Sequence, residues 1–283
     1  MSVALLVGAI PSPPENAIGI GPLQLRAYGL AIAFGVLVGV WVAQRRWATR
    51  GGNPADISYL ATWSVIAGLI GARAYHVLTD YDRFQGRWLH AFAVWEGGLG
   101  IPGGLLAGVV TGVVLARRRG LPAAQLLDVV APAIPIAQAI GRLGNWFNQE
   151  LFGRPTNLPW GLRVDVAHRP DSYERFATFH PTFLYEALWN LALAGLLVLY
   201  ERRRPGAPPG TLFALYVGGY GLGRLWVEAL RIDDATRLAG LRVNIWVSLL
   251  AIAASIVALA VLHQRERRAA PPTNDDEPHL AAS

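Results

Sequence analysis

The chain of 283 residues contains no cysteine, so disulfide bonds, thiolate catalysis and cysteine-based metal sites are excluded. It contains no lysine either, because all 25 basic residues are arginines. Charged residues make up only 16% of the chain and hydrophobic residues 53%, which is too apolar for an ordinary soluble domain. We therefore predict an all-α polytopic membrane protein.

The charged residues that are present argue against two classes of partner. The six histidines do not have the spacing of metal ligands, so we predict no metal site. A net charge of +6 would suit a nucleic-acid-binding protein. However, the arginines form short clusters at the ends of apolar segments, where topology signals belong. We therefore expect no nucleic-acid partner.

Apolar segments long enough to cross a bilayer, which takes about 20 residues, recur along the chain. We predict seven spans, at about 23–43, 57–78, 97–116, 126–146, 181–200, 211–230 and 243–262. Arginine clusters follow the first, third, fifth and seventh, so the positive-inside rule puts the N-terminus outside and the C-terminus in the cytoplasm. The third span begins with a glycine-rich stretch, and it is either a broken or re-entrant segment or a helix that starts only at Leu105.

These segments divide the chain into three parts. Residues 1–22 are predicted to be an extracytoplasmic N-terminal tail, and residues 23–263 a seven-span membrane domain. Within that domain, residues 151–180 are expected to form a small extracytoplasmic cap. Residues 264–283 are rich in arginine, then in proline and acidic residues, and are predicted to be a disordered cytoplasmic tail.

The stretch GRLGNWFNQE, from Gly141 to Glu150, places an arginine, two asparagines and a glutamate at or near membrane depth. An arginine or glutamate there costs roughly 2.5–3.5 kcal/mol at a helix centre, so it needs a partner or a purpose. Arg142 and Asn145 would share one helix face. The natural partner of a fixed guanidinium at this depth is an anion such as a lipid phosphate. The alternative is a topology charge with a helix cap.

A second charged pair, Arg224 and Glu228, lies four residues apart inside the sixth span. The acidic residue follows the basic one, which is the less favourable order for an isolated helix, so helix stabilisation explains the pair poorly. Either the pair neutralises itself and joins two helices, or Glu228 holds Arg224 for an anion. The segment HPTFLYE opens the fifth span and puts Glu186 about one turn into the membrane. We interpret His180 as a neighbour of the helix cap.

Together these motifs resemble the phosphatidylglycerol:prolipoprotein diacylglyceryl transferase family of the bacterial inner membrane. The resemblance extends from Tyr28 to about Arg231. It is carried by RAYG at Arg26–Gly29, Gly141–Glu150 with Gly153, HPTFLYE at His180–Glu186, and YGLGR at Tyr220–Arg224 with Glu228.

The resemblance implies a multi-pass enzyme of the bacterial plasma membrane that catalyses the first step of lipoprotein maturation. It implies transfer of the diacylglyceryl group from phosphatidylglycerol to the thiol of the lipobox cysteine of a preprolipoprotein. The product is a thioether, and glycerol 1-phosphate is released. The implied partners are therefore phosphatidylglycerol, lipobox-containing preprolipoproteins and membrane lipid, with no cofactor.

Site roles follow from the same resemblance. The residues expected to be catalytic are Arg142, Arg224, Glu150 and Glu228. The residues expected to bind substrate are Arg142, Asn145, Gly153, Tyr28, Tyr220 and Arg224. Our hypothesis is that the two arginines bind the lipid phosphate and stabilise the departing anion. Glu228 would orient Arg224, Asn145 and Tyr28 would bind head-group oxygens, and Glu150 would position or deprotonate the thiol.

One departure from the family pattern leaves the general base open. Some members carry a histidine before the paired glycines of the third span, and here Pro102 occupies that place. Glu150 or another group accepts the proton, with Glu96 a weaker candidate, or the arginines alone activate the thiol.

Two other functions compete with the enzyme. A lipid or anion transporter would have matching broken helices in its two halves, and a structural subunit would use its charges for assembly.

Overall fold

The computed structural model describes residues 9–20, 23–93, 98 and 100–269. Helices dominate these residues, as the sequence predicts. They are α1 Ala27–Ala48, α2 Pro54–Thr79, α3 Ile101–Arg118, α4 Ala123–Val130, α5 Ala133–Asn148, α6 Thr182–Arg203, α7 Thr211–Leu230 and α8 Val243–Ala269. Short 3₁₀ turns cover Tyr81–Phe84, Trp88–Phe92, Val166–His168 and Asp171–Tyr173.

The described residues also form three small antiparallel hairpins, which the sequence did not predict; one precedes α1 and two connect later helices. They pair β1 Ala17–Ile20 with β2 Leu23–Arg26, β3 Leu162–Arg163 with β4 Thr178–Phe179, and β5 Arg237–Leu238 with β6 Leu241–Arg242. The first hairpin corrects the start of the first span, because residues 23–26 pair with β1 and the helix begins at Ala27.

Within the described residues, four helices are long and apolar enough to cross a membrane, namely α1, α2, α6 and α8. The bent pair α4 and α5 makes a fifth if it counts as one span. The prediction of one continuous segment at 126–146 is wrong, because the two helices meet at an angle of 40°. Pro132 explains the break, since proline supplies no backbone N–H and its ring clashes with the carbonyl four residues earlier.

Two further helix limits differ from the sequence predictions. Helix α3 begins at Ile101, with Pro102 in its first turn, where the missing N–H is harmless. The alternative of a helix that starts at Leu105 is therefore wrong, and residue 97, where the span was predicted to begin, lies outside the described residues. Helix α8 continues to Ala269, so the predicted tail cannot begin at 264, and residues 270–283 lie outside the described part of the chain.

Glycines allow the helices to pack closely. A Cβ added to Gly103 of α3 would lie 2.3 Å from the carbonyl oxygen of Gly71 on α2. One added to Gly35 of α1 would lie 2.7 Å from the carbonyl oxygen of Ala137 on α5. Small residues are typical of helix contacts in membranes, where close van der Waals packing replaces the hydrophobic effect. Here they hold α2 against α3 and α1 against α5.

Ion pairs join one end of the helix bundle. Glu201 near the end of α6 pairs with Arg46 of α1 at 2.9 Å, and with Arg50 just beyond α1. Asp128 of α4 accepts hydrogen bonds from the backbone N–H groups of Gly210 at 2.7 Å and Phe213 at 3.0 Å. It therefore satisfies donors that the first turn of α7 leaves free. The C-terminal ends of α1 and α6 thus share one side with the start of α7.

The segment 151–180 packs over the opposite end of these helices. Its hairpin, β3 and β4, surrounds an apolar cluster that consists of Phe152, Leu162, Val164, Phe179 and, from α6, Phe183. Residues near the N-terminus join it, because the backbone N–H of Ile10 donates to the carbonyl of Gly161 at 2.8 Å. These contacts fix the chain that follows the GRLGNWFNQE stretch.

Candidate active site

The end of α5, the start of α6, the second half of α7 and the start of α1 meet beneath segment 151–180. Tyr28 of α1 packs directly on Gly144 of α5. A Cβ on Gly144 would lie 2.5 Å from Cδ2 of Tyr28 and 2.9 Å from its Cα. Only glycine therefore allows Tyr28 to lie this close to the helix that carries Arg142.

Arg142 and Asn145 lie on one face of α5, as their spacing predicts. The Nη1 of Arg142 donates to Oδ1 of Asn145 at 3.3 Å. The Nδ2 of Asn145 donates in turn to Oε1 of Glu150 at 2.8 Å, and Asn148 reaches the same oxygen at 3.2 Å. The guanidinium and the Glu150 carboxylate are thus linked through an amide whose orientation both contacts define.

The backbone after α5 turns sharply to bring Glu150 back over the helix end. Gln149 and Leu151 have φ values of 49° and 59°, in the left-handed region that ends many helices. The buried Gln149 is fixed by Asp165, because its Nε2 donates to Oδ2 at 2.7 Å and its Oε1 accepts from the Asp165 N–H at 2.8 Å. Asp165 of the segment 151–180 therefore holds the turn at residues 149–151 in place.

The structure brings Arg142 and Arg224 together through a third residue, Glu186 of α6. The Nη2 of Arg142 lies 2.5 Å from Oε2 of Glu186, and Nη1 of Arg224 lies 3.2 Å from Oε1. The two guanidiniums come from different helices, so their convergence on one carboxylate is a tertiary arrangement. The candidate site is a cluster of buried and half-buried charges, of a kind that can accept an anion.

Glu228 is fully buried and sits behind Arg224. Its Oε2 lies 2.7 Å from Nη2 of Arg224, while Oε1 accepts from Nε of Arg242 at 2.6 Å and from Nδ2 of Asn244 at 3.2 Å. The predicted pair of Arg224 and Glu228 is present, but Glu228 also joins α7 to the start of α8. Arg242 and Asn244 were missed by the sequence analysis, and the position of Arg242 beside the last span was the available signal.

Asp233, just beyond the end of α7, is the outermost carboxylate of this charged cluster. It accepts from Nε of Arg231 at 2.7 Å and from Nη2 of Arg242 at 3.0 Å. Burial opposes ionisation of Asp233, but the hydrogen bond from Arg231 and the charges of Arg231 and Arg242 together lower its pKa. Asp233 thus remains charged and secures both arginines behind Glu228.

Two predicted substrate-binding residues have mainly packing contacts. A Cβ on Gly153 would lie 2.9 Å from Cβ of His180 and 3.1 Å from Cγ2 of Thr182, so the position accepts only glycine without a shift. Tyr220 of α7 lies one turn before Arg224 and packs against Tyr216, with ring centroids 6.1 Å apart. Their predicted roles in substrate binding stay predictions.

Other polar residues contact the connections between the helices or lie in them. Arg73 of α2 is buried and donates to the carbonyls of Ala91 at 2.8 Å and Gly98 at 3.1 Å, so it contacts the connection that precedes α3. Glu96 lies outside the described residues. Near the start of α6, the Tyr185 hydroxyl is 3.1 Å from Nδ1 of His180. Partial burial, followed by the Arg154 guanidinium, lowers the pKa of His180.

A cavity of about 590 Å³ with an almost entirely apolar lining lies beside the charged cluster. Its walls come from α1, α2, α3, α4 and α5, and at one end it reaches Gln138 and Gly141 of α5. Gly141 immediately precedes Arg142 along α5, but Arg142 itself is not among the residues that line the cavity. An apolar chamber of this kind suits the apolar tails of an amphiphile.

This is a membrane-embedded protein in which paired arginines and carboxylates form a cluster between α5, α6 and α7, with an apolar cavity elsewhere in the bundle. The family model "Prolipoprotein diacylglyceryl transferase" matches residues 15–261. The chain belongs to this family, and its apolar helices are those of an integral membrane protein.

Individual relatives agree with this assignment. The chain is 49% identical to the phosphatidylglycerol–prolipoprotein diacylglyceryl transferase of Frankia alni, over 92% of this chain and 69% of the relative. It is 47% identical to transferase 2 of that name from Streptomyces coelicolor, over 90% and 81%. It is 46% identical to the Cutibacterium acnes enzyme, over 91% and 88%.

Proposed function

We propose that this protein transfers the diacylglyceryl group of phosphatidylglycerol to the thiol of the lipobox cysteine in a preprolipoprotein, the first step of lipoprotein maturation. The relatives' names give the lipid donor, the prolipoprotein acceptor and the transferred diacylglyceryl group. The observation that supports it most directly is the convergence of Arg142 and Arg224 on one carboxylate, at 2.5 and 3.2 Å. Two guanidiniums that share one anion are suited to a phosphate.

The reaction needs a good leaving group more than it needs an enzyme nucleophile. The substrate thiol loses its proton, and the sulfur attacks the glyceryl carbon that carries the phosphate ester. A C–S bond forms and the C–O bond breaks, so the electron pair stays on the oxygen of glycerol 1-phosphate. That phosphate gains a negative charge as it leaves, and Arg142 and Arg224 stabilise this charge.

The neighbours of the two arginines have supporting roles in this scheme. Glu228 orients Arg224, with which it pairs at 2.7 Å. Asn145 and Tyr28 bind oxygens of the lipid head group. Glu150 is held by amide donors at 2.8 and 3.2 Å, and it positions or deprotonates the thiol. The apolar cavity next to Gly141 receives the acyl chains.

We also propose a topology of seven spans in the bacterial inner membrane, with α4 and α5 forming one bent span. The last turns of α1, α3, α6 and α8 each carry two arginines, and the positive-inside rule assigns these ends to the cytoplasm. The pairing of Glu201 with Arg46 supports a common side for α1 and α6.

This topology sets the position of the other parts. The N-terminus and the cap at 151–180 lie outside, the C-terminal tail lies in the cytoplasm, and the charged site is near the outer leaflet. An exported lipobox peptide would reach the site from that side. The N-terminal tail of residues 1–22 includes β1, whose partner β2 leads into the membrane domain.

The direct test is reconstitution of the full chain in phosphatidylglycerol vesicles with a synthetic lipobox peptide. Mass spectrometry would detect the peptide with an added diacylglyceryl group, and an enzymatic assay would detect glycerol 1-phosphate. A peptide with serine in place of the lipobox cysteine is the control. Formation of neither product would refute the function, and lipid movement without a covalent product would favour a transporter. Near-normal turnover by Arg142→Ala would refute the phosphate role.

A further inference from the structure

Glu186 is the residue of the charged cluster that no predicted role explains. Its side chain is only 8% exposed, and each carboxylate oxygen pairs with a different arginine. Arg142 comes from α5 and Arg224 from α7, while Glu186 lies between them on α6. It therefore occupies the position where both guanidiniums converge, which is the position proposed above for the lipid phosphate.

The contacts of Glu186 differ from those of Glu228. Glu228 is held from behind by Arg242 at 2.6 Å and Asn244 at 3.2 Å, in addition to Arg224. The ion pairs and hydrogen bonds that the described residues give Glu186 are those with Arg142 and Arg224. Glu228 is thus fixed by groups outside the anion site, whereas the polar contacts of Glu186 belong to the anion site itself.

The charge balance of the cluster indicates that an incoming anion must displace something. Its cations are four arginines at positions 142, 224, 231 and 242, and its anions are four carboxylates at positions 150, 186, 228 and 233. A phosphodiester adds one negative charge to this balanced set, and excess charge is costly in a buried site. Glu186 contacts neither Arg231 nor Arg242, so it can withdraw without leaving either of them unpaired, and unlike Glu150 it contacts both arginines of the anion site.

We propose that Glu186 is an exchangeable internal counter-ion of the phosphate site. In the absence of lipid it holds Arg142 and Arg224 at the separation that a single anion bridges. The phosphate of phosphatidylglycerol displaces it, and after the reaction the carboxylate returns to the arginines and helps to expel glycerol 1-phosphate. The inference rests on the proposed function, because it identifies the displacing anion as that lipid's phosphate.

Competition of this kind predicts the direction in which phosphate affinity changes when Glu186 is removed. A site that an internal group occupies most of the time binds an external ligand more weakly, in proportion to the fraction of time it is vacant. If the carboxylate occupies the arginines for about nine-tenths of the time, its removal tightens phosphate binding about tenfold. If Glu186 had only a structural role, phosphate affinity would change in the opposite direction, since its removal would misplace both arginines and weaken phosphate binding.

The test compares Glu186→Gln with the wild-type chain in detergent. We expect the dissociation constant of glycerol 1-phosphate, measured by calorimetry, to fall about tenfold. In the lipidation assay KM for phosphatidylglycerol should fall and kcat should fall as well, because the product leaves more slowly. A dissociation constant that is unchanged or raised would overturn the inference.

Glu201 offers a matched control on the same helix. It also pairs with two arginines, Arg46 and Arg50, but it lies fifteen residues further along α6, about 22 Å away by helix rise. Glu201→Gln should therefore leave the dissociation constant of glycerol 1-phosphate unchanged, and a fall equal to that of Glu186→Gln would overturn the inference.

A second variant keeps the inference testable if Glu186→Gln does not fold. Glu186→Asp retains the charge but is one methylene shorter, so it holds the two arginines less well and should tighten glycerol 1-phosphate binding by a smaller factor. Weaker or unchanged binding by Glu186→Asp would then overturn the inference. Failure of the proposed function is a separate result, in which the wild-type chain makes no lipidated peptide.

Discussion

Gly144 of α5 is the position at which adding one methyl group, by substitution with alanine, should disturb the site most. A Cβ there would lie 2.5 Å from the Tyr28 ring and 2.9 Å from the Tyr28 Cα. The ring can rotate, but the backbone of α1 cannot move without separating α1 from α5. Gly144→Ala therefore forces a shift of the helix that carries Tyr28.

The size of the effect can be estimated from a neighbouring glycine. A Cβ on Gly141, also in α5, would meet nothing within 4 Å. Both substitutions gain about 0.8–1.0 kcal/mol of helix propensity, but only Gly144→Ala suffers overpacking, which costs about 1–3 kcal/mol. We expect the free energy of unfolding of Gly144→Ala to be lower than that of Gly141→Ala by about 1–3 kcal/mol.

The activity of Gly144→Ala should fall further than its stability. Displacement of Tyr28 by about 1 Å from the head group would lower turnover by about 10²-fold. Thermal unfolding in detergent and the lipidation rate measure the two effects, with Gly141→Ala as the control for each. Equal unfolding temperatures for the two variants, together with wild-type turnover by Gly144→Ala, would refute the close contact between α1 and α5.

Three further outcomes follow from the geometry. Arg142→Lys cannot keep both contacts, to Glu186 and Asn145, so turnover should fall by about 10–100-fold in the lipidation assay. Glu228→Gln leaves buried arginines short of a carboxylate and should lower the free energy of unfolding by about 3–5 kcal/mol, as measured by denaturation. The lowered pKa of His180 means that the unfolded chain binds its proton more readily, so this residue's contribution to stability is lost as pH falls below about 6.5. The unfolding temperature of wild type should therefore fall more than that of His180→Gln between pH 7.5 and pH 5.5, and equal falls would exclude this contribution.

The parts of the site that follow from local spacing could be predicted from the sequence. Arg142 and Asn145 are three residues apart and Arg224 and Glu228 four apart, so a helix places each pair on one face. The bridge through Glu186 could not be predicted in this way, because Glu186 is 38 residues from Arg224 along the chain. Such a contact depends on how α5, α6 and α7 pack, which helix periodicity does not specify.

The same distinction applies to the fold. Hydropathy predicted the sixth span at 211–230, and α7 has these limits. The window of about 20 apolar residues cannot distinguish a straight span from a bent one, so the break between α4 and α5 was missed although Pro132 marked it. Residues 23–26 were assigned to the first span because a short apolar strand that leads into a helix continues the same hydropathy.

We propose that Arg142 and Arg224 bind one and the same phosphate. A double-mutant cycle on the dissociation constant of glycerol 1-phosphate, with Arg142→Gln, Arg224→Gln and the double variant, measures whether they do. Residues that share one ligand show a coupling energy of about 0.5–3 kcal/mol, and we expect a value in this range. Strictly additive losses, or no loss in either single variant, would contradict the claim.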